Sequence, residues 1–250
     1  MKYTALLSSL VICLLLTTET TAQKNRRTEV EKPFVVGFAP FSLILPSGKL
    51  NLHTEWAYAG NKSLSLLVSI PRPTTAPGLI GDKFDLDNQT STSVNKYTSF
   101  GAVLEHRFYL GENAPRGFYL APYSRYNNFS LERSTQESGS TYTTSIKGAI
   151  GGFGFGGAVG VQFRIGDFLT LDATLAGLDM KWMKGTFTYK TDNPEVDLTA
   201  FRDQVQETVG DIPFIGSKLT AAIDGDAIKV RTPGMLVPGY RFNLTINYAF

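Results

Sequence analysis

The sequence predicts an all-β fold, namely an eight-stranded antiparallel up-and-down transmembrane β-barrel with a short helix in its last extracellular loop. The final residues, Tyr240 to Phe250, alternate apolar and polar side chains over about the length that a tilted strand needs to cross a bilayer. The 250 residues include 24 Gly, 17 Phe, 11 Tyr and 2 Trp, a composition that favours many short strands over helices. Segments with the same alternation recur from Pro33 onward, so the pattern of the last strand extends to most of the chain.

The N-terminal residues predict export across a membrane. Lys2 is followed by an apolar run from Ala5 to Leu16 and by small residues before Gln23, which is the order of a secretory signal peptide. We therefore expect three regions: a signal peptide over residues 1–22, a charged periplasmic leader over 23–32, and the barrel over 33–250.

The charge and the cysteine content of the chain limit which partners and covalent links are expected. The formal net charge is +2 and the Lys and Arg residues are scattered, so no nucleic-acid partner is expected. Cys13 is the only cysteine and lies in the predicted signal peptide, which leaves no disulfide in the mature chain. A lipoprotein is a weaker alternative, because Ile12 is not the small residue that would have to precede Cys13.

Eight segments have strand periodicity and turn residues at their ends. They cover residues 34–45, 49–58, 63–70, 97–109, 118–129, 147–165, 168–189 and 240–250. Short turns at 60–62, 110–117 and 166–167 alternate with polar loops at about 72–95, 132–145 and 190–237; the short turn at 46–48 is the exception. Because eight is even, both chain ends lie on one side, which is the periplasm in barrels of this kind. The long loops would then face the cell exterior.

The residue types on the two faces of the strands favour a membrane barrel over a soluble, lipocalin-like one. Polar strand positions are mostly Gly, Ala, Ser, Thr and Asn, and Lys is nearly absent except at strand ends. A Lys or Arg at the lipid midplane costs about 2–4 kcal/mol, so scarce lysine is what lipid exposure predicts. Aromatic residues gather near the predicted periplasmic rim: Trp56, Tyr58, Phe108, Phe118, Phe163, Phe168, Tyr248 and Phe250.

The inward positions predict a network of charged side chains in the barrel interior. An eight-stranded barrel is just wide enough for side chains to fill it, and unpaired buried charges are unfavourable. We therefore expect opposite charges to pair and to plug the barrel, although the same residues could form a gate or a proton path. The predicted members are Glu55, Glu105, Arg107, Arg125, Arg164, Asp172 and Arg241, with His53 and Tyr123 nearby.

Sequence motifs for catalysis and cofactor binding are weak. The segment from Gly152 to Gly157 matches G-x-G-x-x-G, but a strand pattern follows it instead of the helix that a nucleotide site needs. Small inward residues that make room for neighbouring side chains explain it better. The two histidines, His53 and His106, lack metal-ligand spacing. We expect no metal, no cofactor and no catalysis; an outer-membrane hydrolase or acyltransferase remains an alternative.

The last predicted loop contains an amphipathic segment. Apolar residues at near-helical spacing follow Asn193-Pro194, which predicts a short helix. A second apolar piece covers residues 212–223. This loop could cap the barrel mouth, lie on the membrane, or bind a surface ligand.

Four segments carry a resemblance to known proteins: Glu105 to Tyr109, Gly117 to Asn127, Gly151 to Asp172, and Tyr248 to Phe250. They resemble segments of small outer-membrane barrels of Bacteroidota that are classed only as a domain of unknown function and, more distantly, of barrels of the OmpX and OmpA type. The resemblance implies an outer-membrane location. It also implies that Tyr248 and Phe250 belong to the signal by which the barrel-assembly machinery recognises the last strand. It implies no activity, so we expect a structural or surface-interaction barrel in contact with outer-membrane lipid, or alternatively a narrow channel for small solutes.

Overall fold

The computed structural model describes residues 30–44, 49–72, 92–111, 113–136, 142–210 and 220–250. The predicted signal peptide, most of the leader, the turn at 46–48 and most of the loop at 72–95 lie outside these residues. In chain order the elements are β1 (Phe34–Phe38), α1 (Phe41–Ile44), β2 (Lys49–Ala59), β3 (Lys62–Pro71), β4 (Thr92–Tyr109), β5 (Gly117–Gln136), β6 (Thr143–Ile165), β7 (Leu169–Thr191), α2 (Leu198–Gly210), β8 (Thr220–Asp224) and β9 (Ala227–Ala249).

The strands form one antiparallel sheet that closes on itself. Strands β1 to β7 pair in sequence order, β7 pairs with β9, and β9 pairs back to β1. At the closure the Phe34 amide donates to the Phe250 carbonyl at 3.1 Å, and the Phe250 amide donates to the Phe34 carbonyl at 2.9 Å. The predicted eight-stranded up-and-down barrel with a helix in its last connection is therefore confirmed. Strand β8 is an addition that, within the described ranges, pairs only with β9.

The two ends of the barrel differ. One end carries Phe34, Phe250 and the turns around residues 60–61, 110–116 and 166–168; we call it the turn end. The other, the loop end, carries the connection that contains α2 and β8. Among the described residues, neither helix is long and apolar enough to span a membrane.

The first strand is shorter than the sequence predicts. The predicted strand over 34–45 ends at Phe38, and the short helix α1 follows. Pro40 has no amide hydrogen and cannot continue a strand ladder. The Ser42 amide and hydroxyl both donate to the Ala39 carbonyl, at 3.1 and 2.6 Å, and the Asn51 amide donates to the Ser42 hydroxyl at 3.2 Å. These bonds satisfy the turn locally, so the alternation over 41–44 belongs to a helical turn.

At the loop end several strands are longer than predicted. We call their end residues, 92–97, 131–136, 143–147, 186–191 and 227–231, the extension. The predicted polar loop at 132–145 is wrong at both ends, because β5 continues to Gln136 and β6 begins at Thr143. Likewise β9 begins at Ala227, so the last connection is shorter than expected. Backbone ladders need no apolar side chains, and opposite charges across strands stabilise them: Glu132 lies opposite Lys147 with 2.7 Å between their charged atoms.

The helix α2 packs on this extension. The Phe201 ring stacks on Tyr189 of β7 with 4.3 Å between centroids. The Ala221 amide of β8 donates to the Gln206 side-chain oxygen at 2.7 Å. β8 reaches β9 through a two-residue turn in which Gly225 has a φ of 65°, a conformation that favours glycine.

The apolar face of the sheet points outward and the polar face points inward. Large apolar side chains on the outer wall are exposed, with Leu178 at 73%, Tyr240 at 83% and Phe242 at 67%. Glu105 and Arg107, by contrast, are at most 1% exposed. This is the reverse of a water-soluble barrel, whose apolar side chains point inward.

Candidate functional site

The interior of the barrel is organised around the guanidinium group of Arg107 on β4. Its Nη1 lies 3.0 Å from the carboxylate of Glu55 on β2, and its Nη2 lies 2.9 Å from that of Asp172 on β7. Its Nε donates to Glu105 at 2.8 Å, and the group lies over the Tyr119 ring at 4.4 Å. One cation thus joins carboxylates from three strands across the lumen.

Neutral polar side chains complete the hydrogen bonding of these carboxylates. The Tyr119 hydroxyl donates to Asp172 at 2.8 Å, and the Ser63 hydroxyl donates to Glu55. The Tyr109 hydroxyl lies 2.6 Å from a Glu55 oxygen and 2.7 Å from the Gln162 side-chain oxygen. Buried charges are stable only when their remaining hydrogen-bonding capacity is also satisfied, which explains why these partners surround Arg107.

A second charged cluster lies nearer the loop end and centres on Asp179, which the predicted set does not contain. Arg125 Nη1 lies 3.1 Å from Asp179, the Tyr123 hydroxyl donates to it at 3.0 Å, and Lys181 Nζ lies 3.9 Å away. Arg125 therefore pairs with Asp179, and not with any of the three carboxylates that the sequence pointed to.

A β-bulge explains why alternation does not reveal Asp179. The pairing of β7 with β9 shifts register between Thr174 and Gly177, and Leu175 and Ala176 both lie on the exposed face. Counting by two from Asp172 would therefore place Asp179 outside. Two consecutive small residues, Ala176 and Gly177, were the available signal.

The remaining predicted residues divide into two groups. Arg241 forms an ion pair with Glu105 and lies over the Tyr123 ring at 5.5 Å, so it joins both clusters. Arg164 forms no ion pair with a carboxylate of the described residues, and its buried Nε has no hydrogen-bond partner there. It lies near the turn end, outside the network.

His53 and its neighbours have the composition of a hydrolytic site but not its accessibility. Its ring nitrogens lie 2.8 Å from Asn247 Oδ1 and 3.0 Å from Ser65 Oγ, with Asp172 at 4.0 Å. His53 is 3% exposed and Ser65 is 1% exposed, so the interior buries both. His106 lies on the outward wall, hydrogen-bonded to Tyr58.

Two observations bear on the metal and nucleotide motifs of the sequence. In the part of the chain that the structure describes, no group of three or more His, Cys, Asp or Glu side chains is placed to hold a metal ion. The segment from Gly152 to Gly157 lies within β6, which continues as a strand to Ile165. Glycine here makes room for neighbours, as at Gly160, where a Cβ atom would lie 2.3 Å from the Tyr119 ring.

Comparison with known proteins gives a similarity of overall structure. No family model matches the chain, and no curated protein matches it. The chain is similar to the crystal structure of CarO from Acinetobacter baumannii, with 10% sequence identity and a TM-score of 0.41, over 88% of this chain and 98% of that one. The resemblance to small Bacteroidota barrels and to OmpX and OmpA stays a prediction.

Proposed function

We propose that this chain is an integral outer-membrane β-barrel whose interior is plugged by its own charged side chains, and that it has a structural or surface-interaction role without catalysis. The observation that carries the proposal is the inversion of polarity across the wall. Apolar rows face outward while Arg107 and its carboxylates are buried inside.

The outer wall supports insertion into lipid. The outward positions of β7 from Leu169 to Trp182, and of β9 from Leu236 to Tyr248, carry no ionisable acid or base other than tyrosine. Exposed apolar surface of this extent marks a membrane or protein contact. At the turn end Phe34 stacks on Trp56 at 6.5 Å and on Phe250 at 6.0 Å, which supports an aromatic girdle at a membrane interface.

The charge network supports a plugged lumen over an open channel. Arg107 reaches carboxylates on β2 and β7 from β4, and its partners are at most 1% exposed. In a barrel of eight strands little cross-section remains once such side chains meet. The cation therefore serves to hold opposite walls of the barrel together.

Partners follow from the two ends of the barrel. The last strand, β9, and the Phe250 that follows it would contact the barrel-assembly machinery. The extension with α2 and β8 would face the cell exterior and could bind a surface ligand. Its polar outward face, with pairs such as Glu132 and Lys147, suits water. Export through the inner membrane would use the predicted signal peptide.

Fractionation and conductance measurements test the proposal. We expect the full chain to appear in the outer-membrane fraction, to migrate differently on gels before and after heating, and to leave planar bilayers silent after reconstitution. Recovery in the soluble fraction would refute membrane insertion. A steady conductance that scales with the amount of inserted protein would refute the plug and favour the channel.

A further inference from the structure

A groove interrupts the outward wall of the barrel near its loop end. Its volume is about 680 Å³, within the range of roughly 300–1,000 Å³ that is common for small-molecule sites. The small residues Ala149 and Gly151 of β6 form the floor. Larger apolar residues form the walls, namely Tyr126 of β5, Phe153 of β6, Trp182 of β7 and Leu236 of β9.

The groove lies where the apolar outward rows end. On β7 the outward residue after Trp182 is Lys184, and on β5 the outward residue after Tyr126 is Asn128; all four line the groove. Aromatic residues followed by polar ones mark the level of lipid headgroups. With the loop end facing the cell exterior, this is the level of the outer leaflet.

Three basic side chains on the outward face of the neighbouring extension have a carboxylate partner. Lys147 Nζ lies 2.7 Å from Glu132, which lowers the pKa of that carboxyl group. The other two pairs are Lys190 with Asp226 and Lys229 with Asp224. These cations are therefore largely neutralised within the protein.

Two cations beside the groove differ from these. Lys184 lines the groove, and Arg231 lies directly opposite Thr186, another lining residue. Both are exposed, and neither forms an ion pair among the described residues. Asp224 is hydrogen-bonded to Lys229, which lowers the pKa of that carboxyl group more than Arg231 does. An anion at the groove would thus find two cations without partners.

We propose that the groove binds a phosphorylated glycolipid of the outer leaflet, with an acyl chain between the Phe153 and Trp182 rings and a phosphate group on Lys184 and Arg231. The inference rests on the proposed membrane location. A phosphate accepts charge-assisted hydrogen bonds from both cations, and an apolar groove open to lipid gives the acyl chain contacts that a smooth wall does not. A ligand that fills the groove and pairs with both cations must therefore carry both an acyl chain and a phosphate group.

Lipid retention by the folded full chain tests the proposal. The protein is refolded in a zwitterionic detergent and analysed by native mass spectrometry with lipid A, with lipid A stripped of its phosphates, and with phosphatidylglycerol. We expect Lys184→Gln and Arg231→Gln each to lower lipid A retention about fivefold, the effect of one basic residue near an anionic lipid surface. Lys147→Gln is the matched control and should change retention little, because Glu132 already pairs with that charge.

A second pair of variants tests the groove itself. Ala149→Leu fills the floor and should lower retention of both forms of lipid A. Ala176→Leu adds the same side chain to the exposed wall outside the groove and should not. Equal losses in Lys184→Gln and Lys147→Gln, or retention that favours phosphatidylglycerol over lipid A, would overturn the proposal. If heat-modifiable mobility and outer-membrane location persist in that case, only the groove assignment fails; if they are missing in the unaltered chain, the barrel function itself fails.

Discussion

Arg107→Met should test whether the charge network holds the barrel together. The guanidinium is 1% exposed and lies within 3.0 Å of carboxylate oxygens on Glu55, Glu105 and Asp172. Methionine keeps an unbranched apolar stem but removes the guanidinium group and its charge. Glu105 retains Arg241 as a partner, whereas Glu55 and Asp172 lose their cation.

The expected loss of stability is large. Removing one partner of a buried ion pair typically destabilises a protein by about 3–5 kcal/mol, because the remaining charge is left without compensation. Here two carboxylates would be left so, although Tyr109 and Tyr119 would still donate to them. We therefore expect a decrease of about 3–5 kcal/mol in the free energy of unfolding.

Urea unfolding in lipid vesicles measures this effect. Trp56 and Trp182 both lie on the outward wall, about half exposed, so their fluorescence should report exit from lipid. Adding Glu55→Gln and Asp172→Asn to Arg107→Met should recover most of the loss, because no carboxylate of the network is then left without its cation.

Arg125→Met is the matched control. Its side chain is 15% exposed, and among the described residues it forms an ion pair with Asp179 alone. Without Arg125, Asp179 retains the Tyr123 hydroxyl and Lys181. This variant should lose less stability than Arg107→Met. A loss below about 1 kcal/mol for Arg107→Met, or no recovery in the triple variant, would refute the reasoning, since a buried pair should exceed what a surface pair contributes.

Three further predictions concern packing, assembly and the last connection. Gly160→Val should abolish folding, as judged by heat-modifiable mobility, because its Cβ would overlap the Tyr119 ring. Gly157→Val should fold, since nothing lies within 4 Å of a Cβ at that position. Similar behaviour of the two variants would contradict this account of the packing. Phe250→Ala should lower the amount of barrel in the outer membrane while the purified protein still refolds in detergent; equal yields would argue against an assembly signal. Replacing residues 193–223 with a short Gly-Ser linker should leave the heat-modifiable form intact, because the closed ring contains neither α2 nor β8; loss of that form would show that the connection is needed for closure.

Much of the fold could be predicted because apolar and polar side chains alternate along most of the strands. The last strand, Tyr240 to Phe250, showed both faces directly, and Glu55, Glu105, Arg107 and Asp172 lie inside as their positions in the alternation require. The number of strands in the ring followed from the turns between such segments.

The parts that alternation did not reveal have local causes. The bulge between Thr174 and Gly177 reverses the phase of β7 and hides Asp179. Strands beyond the loop end carry polar residues on their outer face, so side-chain pattern alone could not separate them from loops. The hairpin of β8 and β9 did have a signal in Gly225-Asp226, a two-residue turn of a common hairpin type.

The bond between Gln206 and the Ala221 amide has a consequence for behaviour in a crowded membrane. A closed sheet has no edge strand, but β8 forms an edge beside β9. Unpaired backbone groups on such an edge could pair with a strand of a neighbouring copy. Here the side-chain oxygen of Gln206 in α2 already accepts a hydrogen bond from the Ala221 amide. Copies of this chain packed side by side should therefore remain separate molecules and not fuse through their outermost strands.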